Sequence, residues 1–231
     1  ALAADSAGAA AQVLSAYLDS DLPVAVSDYT KDLIISSAEE IDARHGTSFA
    51  ERSRQRVAIS YPAINTADYL GVRPEQTAEV LDRRRLTRNG YVLFLSRLAR
   101  AKGVDDLIAG FTTSPACRGL TLVIAGNGPE APHLRELAAT TSAADRIRFL
   151  DDVDDDEKPH LMAGCAAFVL PSKPRPEFVE TFGIALVEKM LAGGGPVITT
   201  TTGGIGEAVG DTAMIVPVNS PGAIADALAA R

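Results

Sequence analysis

The sequence predicts an α/β protein built on a doubly wound parallel sheet. Three observations lead there. Short apolar runs recur from residue 90 onward, among them Tyr91–Leu95, Leu120–Ala125 and Ala166–Leu170. Segments with apolar residues at helical spacing lie between them, as in Val104–Phe111. Gly- and Pro-rich turns punctuate both. Short strands that are apolar throughout and alternate with helices belong to a parallel sheet covered on both faces.

The elements follow in order. Residues 1–20 are Ala-rich and predicted helical. Leu22–Val26 is a short strand, and Ser27-Asp28 can cap a helix running through Leu33, Ile34 and Ile35. Residues 39–56 are polar and charged and are predicted to be a surface excursion. Arg56–Tyr61 is a further strand, and 62–89 has the composition of a connector. The regular part then begins with strand 91–95 and helix 104–111. Strand 120–125 and helix 130–139 follow, joined by Gly126-Asn-Gly-Pro129. Strand 146–150, a short helix at 159–163, strand 166–170 and helix 183–192 come next. Strands 196–199 and 213–216 and helix 221–230 complete the pattern. There is no internal repeat.

Composition excludes several classes of function. Hydrophobic residues make up 46% of the 231, enough for a sizeable core. The formal charge of −8 argues against a nucleic-acid partner, which needs a basic face. No apolar run approaches the length of a membrane span, and Ala1–Asp5 lacks the basic start of a signal peptide. Cys117 and Cys165 are isolated and are read as small buried thiols, which places the protein in a reducing cytoplasm. His45, His133 and His160 have no partners at metal-ligand spacing, so no metal site is expected.

The richest segment is Pro171–Met190. Glu180 falls in the loop at the carboxyl end of strand 166–170, and Glu188 about a turn and a half into the next helix. That edge of an open α/β sheet is where ligands bind. The helix start supplies free N–H groups and partial positive charge, which suit a phosphate. A carboxylate repels phosphate and accepts hydrogen bonds from hydroxyls. A phosphate with hydroxyl-binding carboxylates on both flanks describes a nucleotide-sugar, with ribose on one side and the transferred sugar on the other. Gly183 allows close backbone approach.

A second loop on the same edge, Ser96–Gly103, carries Arg97, Arg100 and Lys102. Such a cluster in an acidic chain fits a diphosphate, which Arg grips bidentately and Lys meets as a point charge. Gly126-Asn-Gly-Pro129 is neither a dinucleotide fingerprint nor a P-loop. It is a strand-to-helix turn. The run Asp151–Glu157 is a solvated acidic loop that caps the next helix, and the glycines of 193–195 and 203–206 bound strand 196–199.

Taken together and in this order, these pieces resemble the retaining GT-B glycosyltransferases of family 4. That family has Gly-Arg-Leu with Lys-Gly shortly after, then Gly-x-Gly-Pro and Phe-Leu-Gly. It continues with Pro-Ser, then Glu-Gly-Phe-Gly with seven residues between two Glu, then Gly-x-Pro-Val and Gly-Gly. The match covers residues 90–231 and reaches weakly back to Val24–Leu33 and Arg56–Asn65. Thr181 stands where the family usually has Gly, and Asp151 where Gly commonly follows Phe-Leu.

The resemblance implies a Rossmann-like donor-binding domain at 90–231 that stops before the family's C-terminal helices. A connector at 61–89 and the incomplete tail of the acceptor domain at 1–60 precede it. It implies a hexosyltransferase that moves a sugar from a nucleoside diphosphate such as UDP to a glycan or small-molecule hydroxyl with retention. Neither a metal nor another cofactor is expected. Arg97 and Lys102 neutralise the diphosphate, and Glu180 holds the transferred sugar. Backbone N–H groups around Thr181, Phe182, Gly183 and Ile184 hold sugar and phosphate. Glu188 binds ribose, and Gly126 and Phe149 border the nucleotide. The donor half alone is expected to bind donor without transferring it. Lys189–Thr199 is similar to segments of bacterial aminoglycoside-type natural-product glycosyltransferases. Other GT-B enzymes, such as an epimerase or a phosphorylase, and a non-catalytic binding domain are the alternatives.

Overall fold

The computed structural model describes residues 7–231. The chain divides into two compact units, the first ending at Ala63 and the second spanning Ile64–Arg231. Residues 1–6 of the expected first helix lie outside the described residues.

In the first unit, helix α1 (Ala7–Asp19) precedes strand β1 (Val24–Ala25). Helices α2 (Asp28–His45) and α3 (Phe49–Arg56) lead to β2 (Ala58–Ile59), which pairs with β1 in parallel. Ser27 caps α2 as expected, accepting from the Thr30 N–H at 3.1 Å. The expected surface excursion at 39–56 is instead helical. Ala38 and Ile41 are buried on one face of α2, while the exposed face carries the charge that dominates the composition. The Asp42 carboxylate then accepts from the Phe49 and Ala50 N–H groups, 2.8 Å each, and satisfies the open start of α3. Leu14, Leu18, Ile41 and Val57 belong to this unit's own small core.

The second unit opens with α4 (Thr66–Leu70) and α5 (Pro74–Arg83), within the stretch predicted as a connector. Pro74 starts α5, and Thr77, Val80 and Leu81 face the core. The chain then alternates as predicted: β3 (Tyr91–Leu95), α6 (Val104–Thr113), β4 (Thr121–Ala125), α7 (Ala131–Ala139), β5 (Ile147–Leu150) and α8 (Lys158–Gly164). β6 (Ala167–Leu170), α9 (Ile184–Ala192), β7 (Val197–Thr199), α10 (Ile205–Val209), β8 (Met214–Ile215) and α11 (Pro221–Ala230) follow. The six strands of this unit are all parallel, in the order β5-β4-β3-β6-β7-β8.

Right-handed crossovers place α6 and α7 on one face of the sheet and α8, α9 and α10 on the other. The packing agrees. α6 touches α7 and α11, while α9 touches α4, α8 and α10, and α5 lies on α8. The central strands are fully buried, with Tyr91, Phe94, Leu122, Ile124 and Phe168 at 0% exposure. Cys117 and Cys165 are free, buried thiols. Burial pushes both up, Cys165 to about 11. No helix among the described residues is long and apolar enough to cross a membrane.

Candidate active site

The strand order reverses between β3 and β6. The chain leaves β3 through β4 to β5, then returns by α8 to lay β6 on the other side of β3. The loops at the carboxyl ends of β3 and β6 therefore flank the crevice where open α/β sheets bind ligands. Residues 96–103 form one wall and 171–183 the other.

Close backbone packing joins the two walls. Gly103 has φ +67°, and a Cβ there would lie 2.1 Å from the Pro171 carbonyl oxygen, so only glycine fits. The Lys173 N–H donates to the Ala101 carbonyl at 2.8 Å. The Lys173 ammonium reaches across to Asp105 and Asp106 at the start of α6, at 2.9 and 3.0 Å. Lys102 is thereby fixed at 7% exposure. A lone ammonium so far out of water is costly. Its charge is met by Glu180, with which it forms a hydrogen-bonded ion pair.

Phe178 covers this pair. Its ring centroid lies 5.1 Å from Lys102 Nζ and 5.7 Å from Arg97 Cζ, so one aromatic ring serves both cations. A tight turn holds the ring in place, with Arg175 and Phe178 exchanging two backbone hydrogen bonds of 3.0 and 3.1 Å. Glu180 is anchored from behind by the glycines after β7. The Gly204 N–H donates to the Glu180 carbonyl at 2.9 Å, and a Cβ on Gly203 would sit 2.0 Å from that oxygen. The Thr202 hydroxyl donates to the Ser172 carbonyl at 3.1 Å and ties the same segment to the Pro-Ser turn.

Helix α9 opens onto the crevice. Gly183 is its N-cap, with φ +101° and no side-chain cap, so its first N–H groups are available to an anion. Phe182 is buried at 8%, whereas Ile184 is 43% exposed at the helix mouth. One turn in, the Glu188 carboxylate accepts from Lys158 Nζ at 3.1 Å. Tyr69, buried at 6%, brings its phenol to the same carboxylate. Burial first, and then the hydrogen bond and charge of Glu188, push the phenol's pKa well up.

Gly126 follows β4 and packs on the residue after β3, where a Cβ would lie 2.2 Å from the Ser96 carbonyl oxygen. Phe149 sits near the end of β5 under the Arg135 guanidinium, 4.5 Å away. Arg135 also bonds Asp151 at 2.6 Å. The acidic run is matched by the chain's own groups: Asp152 and Glu157 by Arg84, and Asp154 by the Glu157 N–H that it accepts at 2.8 Å. Among the described residues no cluster of His, Cys, Asp or Glu could hold a metal ion.

All the predicted site residues lie along the carboxyl edge of one sheet or on the helix that starts there. Lys102 and Glu180 are brought into contact, with Arg97 beside them through Phe178. Glu188 has a separate set of partners. Sequence inspection missed Phe178, Lys158 and Tyr69. A cavity of about 460 Å³ lies beside the clamp on the α6–α7 side, lined by Arg100, Glu130, His133 and Arg175 among others. None of Lys102, Glu180 and Glu188 lines it.

Comparison with known proteins gives this edge a context. Residues 81–230 match the model of the family "Glycosyl transferases group 1". The chain belongs to that family. A GDP-mannose-dependent alpha-(1-6)-phosphatidylinositol monomannoside mannosyltransferase of Mycobacterium tuberculosis is 35% identical over 190 residues, 78% of this chain and 48% of that protein. A D-inositol 3-phosphate glycosyltransferase of Salinispora tropica is 33% identical over 170 residues, 68% of this chain and 34% of that protein. The chain thus spans about half the length, or less, of these curated relatives.

The crystal structure of Anabaena HepE in complex with UDP superposes with a TM-score of 0.74 at 22% identity, covering 99% of this chain and 59% of that one. That likeness is one of fold. The fold, with its six-stranded parallel Rossmann-like sheet, is thus that of a GT-B glycosyltransferase of group 1.

Proposed function

We propose that this group 1 chain forms the donor-binding part of a retaining family 4 glycosyltransferase. It would transfer a hexose from a nucleoside diphosphate to a hydroxyl of a glycan or small molecule, in the cytoplasm. The single observation that carries this is the Lys102–Glu180 contact at the mouth of α9. It sets a cation and a carboxylate side by side at the switch point, next to an uncapped helix start.

In transfer, the bond between the anomeric carbon and the diphosphate oxygen breaks and its electron pair leaves with the diphosphate, while the acceptor hydroxyl oxygen bonds to the anomeric carbon and its proton passes to the departing diphosphate. Lys102, Arg97 and the N–H groups of Gly183 and Ile184 meet that charge where it grows. Glu180 accepts hydrogen bonds from hydroxyls of the transferred sugar and lies close to the cationic anomeric centre. Lys102 and Glu180 neutralise one another in this structure. A donor would supply each with a better partner, phosphate for the lysine and hydroxyls for the glutamate, so the pair is a switchable receptor. Glu188 takes the ribose hydroxyls, and Gly126 and Phe149 flank the nucleotide. With these cations in place the reaction needs no divalent metal.

The mannosyltransferase relative is named for GDP-mannose and the HepE complex contains UDP, so the base is left to experiment. Calorimetry with UDP, GDP and ADP should show binding of one in preference, weakened strongly in Lys102→Met and in Arg97→Ala. Absence of binding to all three would make this a scaffold domain, and binding of NAD instead would make it an oxidoreductase.

A further inference from the structure

Helix α4, within the stretch predicted as a connector, packs on α9, which carries Glu188. We propose that Tyr69 of α4 and Lys158 of α8 are positioning residues that aim the Glu188 carboxylate at the ribose diol. This rests on the assignment of Glu188 to ribose.

A carboxylate has two oxygens and about four acceptor sites. A vicinal diol uses two of them. An untethered glutamate on a helix rotates about three side-chain torsions, and ordering them on binding costs affinity. Here the torsions are fixed in advance. Lys158 Nζ binds Oε1 at 3.1 Å, and the Tyr69 phenol reaches the carboxylate from a different element. The Glu188 side chain is 13% exposed and that of Lys158 21%, so the pair is largely sheltered yet still reachable.

The tether is itself braced. Lys158 lies 5.9 Å from the Tyr69 ring centroid and 3.9 Å from Asp155. Tyr69 belongs to the main hydrophobic core. The three side chains come from α4, α8 and α9, which pack together on one face of the sheet. The Lys158 bond takes one acceptor site, and others remain for the sugar.

Preorganisation of this kind acts on discrimination at the ribose, which a merely structural role would not change. The test is calorimetry on the chain with its preferred nucleoside diphosphate and with the 2′-deoxy counterpart. Wild type, Glu188→Gln, Tyr69→Phe and Lys158→Met are compared. Tyr69→Phe deletes one hydroxyl and keeps the packed ring, so folding is preserved and circular dichroism verifies it.

Wild type should prefer the ribonucleotide, and Glu188→Gln should lose the preference. Tyr69→Phe and Lys158→Met should each shrink it by about three- to tenfold, the loss of roughly one hydrogen bond. Affinity for the 2′-deoxy form should stay within about twofold in both. Full wild-type preference in Tyr69→Phe and Lys158→Met, alongside its loss in Glu188→Gln, overturns the positioning role and leaves the donor site standing. Retained preference in Glu188→Gln, or no nucleotide binding by wild type, overturns the donor-site assignment as well. Tighter ribonucleotide binding in Lys158→Met also overturns it, because the lysine would then be a competitor for Glu188.

Discussion

Lys102 and Glu180 are 78 residues apart in sequence and share one contact. Their side chains are 9% and 12% exposed. Removing one partner leaves the other charge in a site that water scarcely reaches. Lys102→Met and Glu180→Gln should each lower stability by about 2–3 kcal/mol. The double variant should return to within about 1 kcal/mol of wild type, since neither charge remains to be solvated. Nucleoside diphosphate binding should be weak in the two variants that lack Lys102. Urea unfolding with calorimetry checks this, and a double variant as unstable as the sum of the singles would show that the pair is not coupled.

Gly203 adopts φ +63°, and its missing Cβ makes room for the Glu180 carbonyl. Gly203→Ala should cost about 1–2 kcal/mol from the left-handed backbone. By displacing Glu180 it should weaken donor binding about tenfold or more. Gly206 has open space around a Cβ, so Gly206→Ala is the control and should leave binding unchanged.

These residues also mark the limit of what sequence could reveal. The loop positions of Arg97, Lys102 and Glu180 and the helix position of Glu188 were legible because local hydrophobicity identifies the strands and the helix that bound those loops. Phe178, Lys158 and Tyr69 were not, because what they do depends on which distant side chain folding brings to them.

Among the elements, the strands of the large sheet were legible to within a residue or so. A fully buried strand leaves a continuous apolar run that surface chemistry does not dilute. Helices on the outside were harder. α2 and α3 hide a narrow buried face under charge, and α5 follows a Pro-initiated pattern inside an Arg-rich stretch. α10 escaped notice within a Gly- and Thr-rich segment.

α5 and α8 carry the pH prediction. His160 Nδ1 lies 3.0 Å from the Thr77 hydroxyl between these helices. Burial, and then the positive charge of Arg83, lowers the imidazole below its ordinary 6.5. The folded protein therefore favours neutral His160, and below pH 6.5 the unfolded chain binds more protons than the native one. That contribution to stability is intact above 6.5 and is lost as pH falls through the window beneath it. Denaturation of wild type and His160→Gln at pH 7.5 and 5.0 should show the smaller acid loss in the variant. Equal losses would mean that His160 titrates normally.

The described residues form two hydrophobic cores, one in each unit. Every buried residue of the large one lies at or after Tyr69, and every buried residue of the small one at or before Val57. Residues 60–65 between them form neither helix nor strand. The family match falls within the second unit, and so does every residue of the proposed clamp and its tethers. A unit of this size with its own sheet, covered by helices on both faces, meets the conditions for independent folding.

Residues 64–231 expressed alone should therefore unfold in one cooperative urea transition. They should bind the preferred nucleoside diphosphate within about threefold of the whole chain, since every residue assigned to the site lies in that unit. Limited proteolysis of the whole chain should cut within 60–65 and leave the same piece. A fragment that folds yet binds no nucleotide would place an essential part of the donor site in the first 63 residues, where no clamp residue has been assigned. A fragment that does not fold would mean that the large core depends on the small unit for its stability.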